Sequence, residues 1–363
     1  MILRSIELQN FRNYENLSLT FSEGTNIFYG DNAQGKTNLL EAVYMSGTTK
    51  SHRGNRDRDM IRFGQDEAHI RTNVEKSGHE EQIDIHLRKT KSKGIAVNHF
   101  PIKKASDLFG ILNLIFFSPE DLNIIKDGPA ERRRFMDQEL CQLDKIYLSD
   151  LKNYNKALDQ RNQLLKDVIK NKDLLQTLDI WDNQLCQYGS RIIRQRKEFV
   201  NELNEIVHEI HLNLTQSKED LLVKYEPSSG ADDFEMQLFN ARERDLHLLQ
   251  TTVGPHRDDM SIQSNKIDMR KYGSQGQQRT SALSLKLSEI QLVEKTIHEK
   301  PVLLLDDVLS ELDEKRQNDL LSSISGIQTL ITCTGLDDFV KNRFEIDRLF
   351  HVTQGSIEDS KLA

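Results

Sequence analysis

The chain opens on alternating apolar and polar positions: "ILRSIEL" and "LSLTF" each send every second residue to one side, and "TNIFYG" stops on a glycine. A period of two with a glycine stop predicts strands, so a sheet begins at once. "KTNLLEAVYMS" then changes to helical spacing. Between Asp66 and Lys104 the runs "HIRTNVE", "EQIDIHLRK" and "GIAVNHFPI" are split by Gly, Ser and Asn. That predicts a meander or hairpins on the flank of the sheet.

The texture changes near Pro129. From Ala130 to about Leu214 there is no proline and almost no glycine, and apolar residues recur at three and four, which predicts several helices in an all-helical insertion. "EPSSGADD" punctuates it, and "FEMQLFNARERDLHLL" predicts a last helix. "TTVGPHRDDMSIQSNKIDMRKYG" returns to strand and hairpin patterning, with a turn at Asn265 and Lys266. "PVLLLDD" reads as a buried strand and "TLITCT" as the final one. The expected organisation is therefore an N-terminal part over residues 1–129, a helical arm over 130–245 and a returning C-terminal part over 246–363.

Length and composition narrow this picture only a little. With 363 residues and 37% apolar content the chain can bury two cores. Lys+Arg number 49 against 57 Asp+Glu, a formal charge of −8, so any polyanion must be met by a local patch. Three cysteines without a C-x-x-C pair fit a reducing compartment and argue against zinc. The apolar runs "ILNLIFF" and "PVLLL" are too short to span a bilayer, which points to a cytoplasmic protein without a membrane partner.

One stretch carries clear chemistry. "GDNAQGKT" (Gly30, Asp31, Asn32, Ala33, Gln34, Gly35, Lys36, Thr37), followed by Asn38, matches G-x-x-x-x-G-K-[ST] between a strand and a helix. Backbone N–H groups at such a junction cradle the phosphates of ATP, Lys36 meets the β and γ phosphates, and Thr37 offers a hydroxyl to Mg²⁺. The partner carboxylates stand at the end of "PVLLLDD": Asp306 for the Mg²⁺ shell and Asp307 to orient or deprotonate water. A second loop-to-helix junction lies far downstream in "KYGSQGQQRTSALSLKLSE", where Ser274, Gln275, Gly276 and Gln277 form another anion-binding corner. One γ-phosphate cannot easily use both corners of one chain. Two chains meeting head to tail could, so ATP would become part of the interface between them.

These residues resemble the ATP-binding-cassette heads of SMC-like proteins. More narrowly, "NFRNY", "TKSHRG", "FSPEDL", "KDGPAERRRFMD", "QRNQLL", "GPHRDD", "SQGQQRT" and "LLLDDVLSELD", in one order along the whole chain, resemble the RecF family of bacterial DNA replication and repair proteins. The resemblance implies an α/β, ABC-type ATPase head with a mixed sheet, a β-rich lobe and an inserted α-helical arm. It implies a weak, DNA-dependent ATPase that forms an ATP-dependent homodimer on double-stranded and single-stranded DNA at gaps or junctions. It also implies RecO and RecR as partners in loading RecA. Position by position it gives Lys36 and Asp307 catalytic roles and gives Thr37 and Asp306 the metal. Ser274, Gln275, Gly276 and Gln277 become a signature acting in trans, Asp313 falls in the loop that crosses between subunits, and Arg12 lies near the nucleotide. Asp307 stands where the wider family usually has Glu, and the switch histidine expected after the final strand is absent from "TLITCTG". Slow hydrolysis is the expected consequence.

DNA needs local cations. "RKTKSKGIAVNHFPIKK" carries Arg88, Lys89, Lys91, Lys93, Lys103 and Lys104 without an acid, and "KSHRGNRDRDMIR" includes Lys50, Arg53 and Arg56. "ERRRF" is a third basic run, whose arginines could equally pair with neighbouring carboxylates. His256 reads as a hydrogen-bonded turn residue, and Phe135 and Trp181 read as core. Two other functions compete: a scaffold that binds ATP without hydrolysing it, and a transporter-type ABC ATPase subunit, which should carry a catalytic Glu and a switch His.

Overall fold

The computed structural model describes residues 1–335 and 346–360. Contacts divide the chain into two units, Met1–Asp121 with Glu289–Ala363, and Leu122–Ser288.

The first unit starts with β1 (Ile2–Phe11), β2 (Tyr14–Thr20), β3 (Thr25–Tyr29) and α1 (Lys36–Thr48), followed by β4 (Glu67–Lys76), β5 (His79–Arg88), β6 (Gly94–Val97), β7 (Phe100–Pro101) and β8 (Leu114–Phe117). The expected meander is there: β2-β1-β4-β5-β6-β7 form one antiparallel sheet. Its inner face is the alternating apolar set, with Ala68, Ile70, Val74, Ile83, Ile85 and Leu87 buried. β1 breaks strict alternation because a bulge between Leu3 and Ser5 moves the next core residue to Ile6.

The second unit holds α2 (Asn123–Lys126), α3 (Pro129–Leu143), α4 (Lys145–Asp167) and α5 (Leu178–Thr215), then β9 (Leu222–Glu226), α6 (Phe234–Asn240), α7 (Arg242–Leu248), β10 (Asp259–Ser264), β11 (Ile267–Asp268) and α8 (Met269–Tyr272). Pro129 sits at the first turn of α3, where its missing N–H costs nothing. Asp144 caps α4 by accepting from the Ile146 N–H at 2.7 Å. α5, of 38 residues, is about 57 Å long and is packed along α4. The last predicted helix is two short ones, broken at Ala241. β9, β10 and β11 form a small antiparallel sheet, whose hairpin turns at Asn265 (φ 49°) and Lys266 (φ 65°), as the sequence predicts. Because β10 pairs with β9, residues 246–288 fall in this unit and not with the C-terminal strands, so the boundary expected at 245 lies at Ser288. α9 (Gln275–Ile297) runs through that boundary.

Beyond α9, the strands β12 (Val302–Asp306), β13 (Thr329–Cys333), β14 (Ile346–Thr353) and β15 (Ser356–Ser360), with α10 (Glu314–Ser323), complete the first unit. They join β3 and β8 in a sheet of order β15-β14-β3-β13-β12-β8, parallel except for β15. β8, β12 and β13 are buried along their whole length, as continuous apolar runs in parallel sheets are. "TLITCT" is therefore not the last strand. β14 follows it and buries Leu349, Phe350 and Val352 beside β3, its alternation interrupted by a register shift between Ile346 and Arg348.

Candidate nucleotide site

The phosphate loop leaves the end of β3 and enters α1, and its backbone needs unusual angles. Gly30 has φ +148° and Gly35 φ +119°, and Ala33 is also left-handed at 64°. A Cβ on Gly30 would stand 2.4 Å from the Val352 carbonyl oxygen of β14, so both conformation and space require glycine there. Asp31, Asn32 and Ala33 form the exposed crest. The loop is held from two sides. Asn13 donates to the Gln34 carbonyl at 2.8 Å and the Tyr14 hydroxyl to that of Gly35 at 3.0 Å, while the Gly355 N–H donates to the Gln34 carbonyl at 3.1 Å.

Lys36 is buried, and its ammonium donates to the loop's own carbonyls, Gly30 at 2.6 Å and Asp31 at 2.7 Å. Burial pulls it below the usual lysine range, and the Asp307 and Asp306 carboxylates oppose that pull. The sheet register explains why those acids are near. β3 and β12 are separated by β13, with Phe28 beside Thr332 and Thr332 beside Asp306. Asp306 Oδ1 accepts from the Thr37 hydroxyl and from the Thr332 hydroxyl, each at 2.8 Å. Thr332 Oγ1 also accepts from the Asp307 N–H at 3.0 Å, and Asp307 itself is left-handed at φ 54°. Thr332 thus joins the two acids, a role that the pattern of "TLITCTG" does not signal. The Thr37 hydroxyl and the Asp306 carboxylate are hard oxygen donors side by side, a set that suits Mg²⁺.

Arg12, expected near the nucleotide, adjoins Asn13, which holds the phosphate loop. Its guanidinium grips Glu41 of α1 with two N–H groups, at 2.8 and 2.9 Å, and reaches the Asp59 carbonyl at 2.8 Å. Burial would raise the Glu41 carboxyl, but hydrogen bonds from Arg12 and Ser51 outweigh it and hold the group below its usual range. Asn38 donates to Asn13 at 2.8 Å and so joins the same framework.

The second corner is a capping box. The Ser274 N–H donates to Gln277 Oε1 at 3.0 Å, and the Gln277 N–H donates to Ser274 Oγ at 3.3 Å, closing the start of α9. Gln277 also donates to Glu219 at 3.1 Å, while Ser274 and Gln275 are exposed. Asp313 caps α10, accepting from the Arg316 N–H at 2.9 Å. Both are local reasons for these residue types that the spacing S-x-x-Q and the "ELDEKR" run could have signalled.

Of the basic candidates, Lys50, Arg53, Arg56, Lys89, Lys91, Lys103 and Lys104 are exposed. Lys89 pairs with Asp66 at 3.1 Å. Lys93 is drawn down onto the Thr49 carbonyl and Asp57, and Arg88 donates to His86 Nδ1 at 2.9 Å. That histidine stacks on His69 and contacts Glu67 at 2.7 Å, three side chains whose ligand atoms gather within 4.8 Å. Two of the "ERRRF" arginines are structural: Arg132 pairs with Asp259 at 2.7 and 3.0 Å and Arg133 donates to the Asp258 carbonyl at 2.7 Å, while Arg134 is exposed beside Glu131 at 3.7 Å. His256 bonds Tyr154 through Nδ1 at 2.7 Å and the Thr251 carbonyl through Nε2 at 3.0 Å; burial lowers it to about 4. Phe135 is core and Trp181 packs against a smaller cluster. Among the described residues no helix is long and apolar enough to cross a membrane.

Residues 2–358 match the family model of the RecF/RecN/SMC N-terminal domain. A DNA replication and repair protein RecF of Agathobacter rectalis is 66% identical over 99% of both chains. The chain belongs to the RecF family. The RecF of Lachnoclostridium phytofermentans is 58% identical, again over 99% of each chain. A solved structure of the recombination mediator protein RecF-ATP in the RecFOR pathway superposes with a TM-score of 0.91 at 37% identity, covering 99% of this chain and 97% of that one. An Smc head domain from Pyrococcus furiosus matches at TM-score 0.57 and 15% identity, covering 99% and 96%. The fold is therefore the ABC-type ATPase head that RecF and Smc proteins share, and the opening reading of the family holds.

Proposed function

We propose that this RecF-family chain binds ATP with Mg²⁺ at Gly30–Asn38 and closes on a second copy head to tail while it holds DNA. The observation that carries the reading is the state of Lys36. A buried ammonium whose partners are two neutral backbone carbonyls, 2.6 and 2.7 Å away, can exchange them for phosphate oxygens at a gain. Thr37 and Asp306 would hold Mg²⁺, which supplies charge neutralisation at the transferred phosphate. Asp307, fixed through its N–H by Thr332, would orient water, and as an aspartate it reaches less far than a glutamate, which supports slow turnover.

The trans roles follow the same logic. The capped start of α9, with Ser274 and Gln275 exposed, would receive the γ-phosphate of the partner's nucleotide, and Asp313 would cross near it. Exposed Lys50, Arg53, Arg56, Lys91, Lys103 and Lys104 would meet DNA phosphates without reading sequence, doubled across the dimer. Gapped or junction DNA, RecO and RecR, and a contribution to RecA loading complete the reading; the RecFOR relative supports it. Among the rivals, the non-hydrolysing scaffold remains the stronger, and the paired acids Asp306 and Asp307 favour hydrolysis over it.

The test is retention on a gapped duplex with ATP and Mg²⁺, comparing wild type with Ser274→Arg. Wild type should be retained and the variant should bind ATP yet wash off. Equal retention would remove the trans role of the α9 corner.

A further inference from the structure

Glu41 is fully buried, one helical turn beyond Thr37 on α1, yet it lies outside the nucleotide and metal roles described above. Three side chains from two separate segments converge on its carboxylate. Arg12, from the turn after β1, grips both oxygens. The Ser51 hydroxyl donates to Oε1, and the Asn55 amide approaches the same oxygen at 3.4 Å. Ser51 and Asn55 lie in the basic segment 50–62. The far end of that segment is tied to Arg12 as well: Arg12 Nη1 donates to the Asp59 carbonyl and the Arg12 N–H to the Met60 carbonyl, each at 2.8 Å. Both ends of the stretch that displays Lys50, Arg53 and Arg56 are thus fastened to one ion pair.

The other side of that ion pair touches the phosphate loop. Asn13, next to Arg12, holds the Gln34 carbonyl at 2.8 Å and accepts from Asn38 at 2.8 Å, and Arg53 reaches Asn38 at 3.5 Å. We propose that Glu41 is a positioning residue that couples filling of the phosphate loop to the DNA affinity of residues 50–62. The proposal rests on the reading that Gly30–Asn38 bind ATP and that the basic segment meets DNA. When phosphate oxygens draw Lys36 away from Gly30 and Asp31, the loop that Asn13 holds resettles, and Arg12 moves with its neighbour. A buried carboxylate must keep its donors, because each one lost leaves a desolvated charge uncompensated. Glu41 therefore carries Ser51 along and re-aims the cations beyond it. Linkage makes the effect reciprocal, so DNA should tighten ATP by the same factor.

The experiment is fluorescence anisotropy with a labelled gapped duplex, with and without ATP and Mg²⁺, on wild type, Ser51→Ala and Glu41→Gln, with ATP affinity and molar mass recorded for each. Wild type should show a tightening by ATP on the order of 10-fold. Ser51→Ala, which leaves the Arg12 pair intact, should bind ATP and dimerise as wild type does while losing most of that tightening; Glu41→Gln should lose it too. A merely structural role would lower Tm and leave the ratio alone. Full tightening in Ser51→Ala overturns the proposal, and Ser51→Ala decides the matter even if Glu41→Gln fails to fold. If wild type itself shows no ATP effect on DNA, the underlying reading falls and the coupling falls with it, a failure visible before any substitution is made.

Discussion

Two regions of this chain bury cations, and they do so in opposite ways. At the phosphate loop, the hydrogen bonds of Lys36 among the described residues go to carbonyl oxygens of the loop itself. In the helical unit, Arg161 is fully buried and bonded to Asp182, Asp245 and the Thr251 hydroxyl, at 2.5, 2.7 and 2.9 Å. Arg196 is bonded nearby to Asp137, Asp258, Tyr147 and the Pro255 carbonyl. The desolvation cost of each arginine is offset by full charges, and removing either side strands the other. Lys36 has partners that a phosphate can replace. A buried cation on neutral acceptors is poised for a ligand, and one paired with buried carboxylates is part of the framework.

The comparison breaks most readily at Arg196. Arg196→Met should cost about 3–5 kcal/mol in denaturant unfolding, because Asp258 is left buried without its cation. Lys36→Ala should do the reverse: a small change in Tm, with ATP hydrolysis falling by on the order of 100- to 1,000-fold. Equal destabilisation by both would erase the distinction.

Acid sharpens it further. His256 titrates at about 4 in the fold against 6.5 free, so the unfolded chain binds more protons between those values. Stability from this group is present above pH 6.5 and is lost as pH falls towards 4, by roughly 3 kcal/mol at most. Thermal unfolding should therefore show loss of the helical unit over that window, and His256→Gln should flatten it. The smallest effect belongs to Ser274→Ala, which removes one capping acceptor and should cost about 1 kcal/mol. If it abolishes ATP-dependent DNA retention at that small cost, the serine acts on phosphate as well as on its own helix.

The phosphate loop was legible because its residues are contiguous and its flanks announce strand and helix; Asp306 and Asp307 were legible because they end an unbroken apolar run. Thr332 was not, since its place between the two acids follows from the parallel register of β12 and β13, which no local pattern encodes. β14 was hidden by mixed charge and a register shift, and β9 with β10 moved a boundary through a pairing across thirty-odd residues of sequence. The "ERRRF" run could be read two ways by composition, and the Asp259 carboxylate opposite Arg132 and the Asp258 carbonyl opposite Arg133 decide for structure at those two arginines. Arg12 was recognised as important, while its partner Glu41 looked like any acidic residue in a helix.

The central claim is that ATP makes the interface between two copies, and molar mass by light scattering tests it most directly. Without nucleotide or with ADP the account predicts the 42.0 kDa chain, and with ATP and Mg²⁺ a species of twice that mass that keeps gapped DNA. A mass that ATP leaves unchanged, with DNA or without, would contradict it.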